Sequence, residues 1–110
     1  MIEQDIRVPA GLPAASVEAA VERACQAEGL ILALKGTLAK YPGSVHWHWK
    51  RRREPGTLEV TFWPETDRAW FAVQAGRTGE WIEASMRRLD LEIERSLKNQ
   101  SPDNNTENSS

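Results

Sequence analysis

Residues 44 to 53 read SVHWHWKRRR, two tryptophans and two histidines in strict alternation that run into four cations. On an extended chain alternate side chains share a face, which sets His46 and His48 about 6.6 Å apart on one side, close enough for two imidazoles to share a metal ion. A usable metal site needs a third ligand. Glu59 and Glu65 are the nearby acids on this face or its rim, and the strand pairing drawn from the turns below sets Glu59 opposite Arg52 instead. With the ligand set incomplete, the sequence assigns no metal and no cofactor, and the histidines read as surface side chains packed on Trp63 and Thr37.

Other chemistry finds less support. No serine or cysteine is delivered to either histidine, and there is no glycine-rich phosphate loop, H-E-x-x-H or C-x-x-C, so no catalytic residue is assigned. Cys25 falls on an apolar stripe and reads as a small core residue; alone, it forms neither an internal disulfide nor a thiolate cluster. AGRTGEW, residues 75 to 81, opens a helix whose free N–H groups could hold an anion beside Arg77, but a loop ending in a threonine cap explains it as well.

Positioning these residues takes a sheet. Four runs with period-two character, 30 to 40, 44 to 53, 57 to 63 and 68 to 75, are separated by YPGS, EPGT and PETD. Proline followed by glycine is the type II turn pattern, and such short connections make antiparallel neighbours. The turns predict Leu38 opposite Trp47, Gly36 opposite Trp49, Trp49 opposite Phe62, His48 opposite Trp63, and Val60 opposite Phe71. One face then collects Leu32, Leu34, Leu38, Val45, Trp47, Trp49, Leu58, Val60, Phe62, Phe71 and Val73. The other collects Lys35, Thr37, His46, His48, Lys50, Arg52, Glu59, Thr61, Trp63, Arg68, Trp70 and Gln74. A slip of one residue would mix the two sets.

Two amphipathic helices need the apolar face. Val17, Val21, Ala24 and Cys25 form a stripe between Pro13 and Glu28, with Gly29 placed to end that helix; Ile82, Met86, Leu89, Ile93 and Leu97 form another, with Thr78 as the N-cap. The expected fold is an α+β two-layer sandwich, α-β-β-β-β-α, with both helices on one face of a four-stranded antiparallel meander and the other face uncovered. If 30 to 40 is helical instead, a three-stranded sheet remains. Residues 1–98 form the single domain, with 1–12 an N-terminal arm, and 99–110, devoid of aliphatic and aromatic side chains, a disordered tail.

This plan resembles that of frataxin-like proteins, which also present a tryptophan on an open sheet face. The acidic ridge such proteins use for iron is missing: the first helix offers only Glu18, Glu22 and Glu28. A likeness of plan alone carries no function.

The expected working surface is therefore the uncovered face: Thr37, His46, His48, Lys50, Arg52, Thr61, Trp63, Arg68 and Trp70. Exposed indoles beside arginine favour a non-catalytic interaction module that binds a protein partner or its own copy as a homo-oligomer. Cations around two indoles also suit single-stranded nucleic acid, although residues 1–98 carry no net charge. A small enzyme, ligand-binding or metal-binding protein using His46 and His48 is the third reading. No apolar run is long enough to cross a membrane and the N-terminus is unlike a signal peptide, so a cytoplasmic protein is expected.

Overall fold

The computed structural model describes residues 1–100. Strand β1 (Ile2–Ile6) precedes helix α1 (Ala14–Ala27); strands β2 (Ile31–Gly36), β3 (Val45–Lys50), β4 (Leu58–Trp63) and β5 (Arg68–Val73) follow, and helix α2 (Glu80–Asn99) closes the chain. The five strands form one antiparallel sheet in the order β1-β5-β4-β3-β2. The meander expected over β2 to β5 is present, but it gains a fifth strand. The N-terminal arm is not a loose segment: it lies beside β5, with Ile2 opposite Val73 and Ile6 opposite Ala69. The order is therefore β-α-β-β-β-β-α. Asn99, expected to begin the tail, ends α2 instead, and 101–110 lie outside the described residues.

Both helices cover one face. Val17, Val21, Ala24 and Cys25 from α1 and Ile82, Met86, Leu89, Ile93 and Leu97 from α2 share a buried cluster with Trp47, Trp49, Leu58, Val60, Phe62, Phe71 and Val73. Gly29 ends α1 in the left-handed region at φ +87, with the Leu30 N–H donating to the Cys25 carbonyl. Gly79 rather than Thr78 is the residue preceding α2. Trp81, in the first turn of α2, is also buried and donates its indole N–H to the Pro55 carbonyl at 2.8 Å.

The sorting of faces holds except in β2. The connection after β2 sets Gly36 opposite His46 rather than Trp49, so that Lys35 stands opposite Trp47 and Leu34 opposite His48, and a bulge between Leu34 and Leu32 leaves Leu32 opposite Trp49. Leu34 therefore joins the open face, and Lys35 turns to the helix side, where it meets Glu22 at 2.6 Å and Glu18 at 3.7 Å. Leu38 lies beyond β2 altogether.

Candidate functional site

The pairing of β3 with β4 builds the site. The chain leaves β3 after Lys50, passes Arg53 at φ 63 and Gly56 at φ 109, and returns at Leu58. This connection is longer than the two-residue loop read from Pro55 and Gly56. Arg51 is drawn out of the strand toward the end of α1, where its guanidinium donates to the Glu28 carboxylate at 3.2 Å and to Ser85 at 2.9 Å. Relative to the expected register β4 slides by four residues: Trp49 faces Leu58, His48 faces Glu59, Trp47 faces Val60 and His46 faces Thr61. An even slide keeps every side chain on its face. It also moves Glu59 from Arg52 to His48, and Trp63 away from His48.

Three donors converge as a result. The Nε2 atoms of His46 and His48 are 2.9 Å apart. Nε2 of His46 lies 3.5 Å from Oε1 of Glu59, and Nε2 of His48 lies 4.0 Å from Oε2. His46 and Glu59 are each 7 % exposed, whereas His48 is half-buried and forms the open side of the group. The hydroxyl of Thr61, itself buried, is 2.8 Å from Nδ1 of His46. This contact fixes the ring orientation and leaves Nε2 to face the other two donors. Burial lowers the proton affinity of His46, with the His48 ring adding to the effect and the Glu59 carboxylate opposing it. Neutral imidazole is the form that ligates a metal.

Aromatic side chains flank this group, and here the structure departs from the expected open surface. Trp70 is 6 % exposed. Tyr41, from the connection between β2 and β3, packs on it, and Asp5 of β1 stands beside it in the sheet. The Tyr41 ring lies 5.0 Å from the rings of both Trp63 and Trp70, and edge-on to the latter. The YPGS turn holds it there: Gly43 takes φ +81, the Ser44 N–H donates to the Tyr41 carbonyl, and the Trp63 indole donates to the Pro42 carbonyl at 2.9 Å. Arg68 stacks on Trp70 at 4.9 Å.

Of the nine expected face residues, His46, His48, Thr61, Trp63, Arg68 and Trp70 lie on one surface of β3, β4 and β5. Lys50 ends β3 on the same side and is exposed. Thr37 and Arg52 fall outside the strands. The residues that sequence reasoning did not place here are Glu59 as the partner of both histidines and Tyr41 as a lid. No protein-family model, no curated protein and no solved structure matches this chain.

Proposed function

We propose that the chain binds a divalent first-row transition metal of the zinc class through Nε2 of His46, Nε2 of His48 and the carboxylate of Glu59. The observation that carries this reading is the convergence of two imidazole nitrogens and one carboxylate, two of the three residues being buried. Ligands held about 2.1 Å from a tetrahedral zinc lie about 3.4 Å from one another, and the separations of 2.9, 3.5 and 4.0 Å bracket that value. Two imidazoles favour zinc, cobalt or iron(II) over magnesium and calcium, which prefer oxygen ligands. Electrostatics supports the same reading. Among the described residues no lysine or arginine lies within 4.0 Å of Glu59; the groups that approach this carboxylate are the two histidines, and burial lowers the proton affinity of His46. A buried carboxylate without a cation is costly. A divalent ion supplies the missing charge, and three protein ligands leave a fourth position open on the His48 side.

Calorimetric titration of chelator-treated protein with zinc tests this, with cobalt(II) absorption as a second readout. One ion per chain is expected. His46→Ala and Glu59→Gln should each remove most of the affinity, and Thr61→Val should weaken it about ten- to a hundredfold by freeing the His46 ring. Failure to bind any of these ions stoichiometrically, or binding indifferent to His46→Ala and Glu59→Gln in folded variants, overturns the proposal.

A second reading, binding of a protein partner or of a second copy, has its own support. Edge strand β2 exposes Ile31, Leu32 and Leu34 at 49 %, 41 % and 48 %, and Lys35, the cation that would ordinarily guard such an edge, is engaged by Glu22 and Glu18. Sedimentation of the wild type against Leu34→Lys tests it; a monomer at every concentration counts against self-association.

A further inference from the structure

A shallow cavity of about 440 Å³ opens beside His48, the most accessible of the three donors, and is lined by His48, Lys50, Gly56, Thr57, Gly76 and Arg77. Its walls bear two cations, two glycines and no carboxylate. The far wall is fixed to the near one, because the Thr57 N–H donates to the Arg77 carbonyl at 2.9 Å, which holds the short turn Ala75–Arg77 against the start of β4. Seven of the fourteen described cations, Arg7, Lys35, Arg51, Arg68, Arg87, Arg88 and Arg95, form ion pairs with acidic side chains. Lys50 and Arg77 form none among the described residues. Two unpaired cations in one cavity wall, next to the open side of a metal site, describe a place for an anion.

We infer that this cavity seats the phosphoryl group of a small phosphate monoester, one oxygen reaching the metal's open position beside His48 and the others meeting Lys50 and Arg77. The inference rests on the metal reading above. A divalent ion and two cations against the single charge of Glu59 leave the site three charges positive, which suits a dianion better than a monoanionic carboxylate. Arginine and lysine are the side chains that recognise phosphate oxygens, arginine by paired N–H donors and lysine as a point charge. The same phosphoryl chemistry could come from a nucleic-acid strand. The small ester is favoured because base stacking needs bare aromatic faces, whereas Trp70 is buried under Tyr41.

The test measures zinc affinity and phosphate affinity separately, on the full chain. Phenyl phosphate, inorganic phosphate and a thymidine octamer are titrated into zinc-loaded and metal-free protein by calorimetry, and into the cobalt(II) form by visible absorption. Phenyl phosphate should bind the metal-loaded protein and perturb the cobalt spectrum. Lys50→Gln and Arg77→Gln should each weaken it about ten- to a hundredfold, the weight of one charge-assisted hydrogen bond, with zinc affinity unchanged. If zinc binds and phenyl phosphate does not, or binds equally well to both variants, the cavity assignment is wrong while the metal site stands. Tighter binding of the octamer than of the ester overturns the choice of a small ligand. If no metal binds, the metal reading fails, and the cavity assignment fails with it unless the metal-free protein takes the ester through Lys50 and Arg77.

Discussion

Replacing Trp70 by alanine separates a bare binding face from a covered one. Were the indole exposed, its removal would leave the fold almost untouched. In the structure it is 6 % exposed, in the centre of β5 between Thr61 and Asp5 on the neighbouring strands, under Tyr41 and beside Arg68. Truncating a buried tryptophan costs about 3–5 kcal/mol through lost transfer energy and the cavity left behind. The edge-on pairing with Tyr41 accounts for about 0.5–1.5 kcal/mol of that. Domains of this size have total stabilities of about 5–15 kcal/mol, so the variant should fold only marginally, with a midpoint lowered by at least about 12 °C. Urea unfolding followed by circular dichroism measures the loss, and an unchanged slope shows that the native state keeps its compactness. A double-mutant cycle with Tyr41→Ala isolates the ring pair, and its coupling should fall in the range just given. A loss below about 1 kcal/mol for Trp70→Ala would refute the view that the YPGS loop roofs this side of the sheet.

Three further outcomes are expected. Because burial lowers the proton affinity of His46, the metal-free folded state takes up its proton at lower pH than the unfolded chain; this contribution to stability is complete above about pH 6.5, is lost as pH falls through the folded value, and should vanish in His46→Gln when urea stabilities at pH 7.5 and 5.5 are compared. Cys25 is fully buried and its thiol is pushed up to about 12 by desolvation, with Glu28 and Glu22 adding to the effect, so a thiol-specific chromogenic reagent at pH 8 should label it only as fast as the protein opens. Glu28 accepts hydrogen bonds from Arg88, Arg51 and Ser85 where the ends of α1 and β3 meet α2, and Glu28→Gln should cost about 1.5–3 kcal/mol through its weakened hydrogen bonds to the two guanidinium groups, read as a shift in urea midpoint with metal affinity unchanged.

The two-sided character of the sheet was legible from alternation alone, because it survives any register error of an even number of residues. Trp47 and Trp49 are buried under the helices and the histidines are on the other side, although β4 sits four residues from its expected place. The exact pairing was not legible, because it depends on a loop whose path is set by a tertiary contact, Arg51 reaching Glu28 at the far end of α1. That one contact hid the third donor, since only the shifted register puts Glu59 opposite His48. In β2 the error was odd, because the connection from Gly36 to Val45 is longer than the YPGS turn alone and sets Gly36 opposite His46, three residues from the expected Trp49, which sends Lys35 to the other side; the bulge at Leu32/Leu34 then returns Leu32 to the helix side. Strand β1 has a helix-side row of Ile2, Gln4 and Ile6, but with a polar residue at its centre and a partner at the far end of the chain, no nearby turn announces it. Both helical stripes were readable because each runs over several turns with few polar interruptions.

The pairing of β1 with β5 has a consequence for how the chain assembles. Ile2–Ile6 leaves the ribosome before α1, whereas its hydrogen-bonding edge, Arg68–Val73, is made only after α1 and three intervening strands. Until then those five residues have nothing to bind, and joining them closes a ring of nearly the whole domain against chain entropy. Strand β1 should therefore complete the sheet last, and a bulky insertion placed just ahead of Ile2 would press on that final seam rather than on the pairing of β3 with β4.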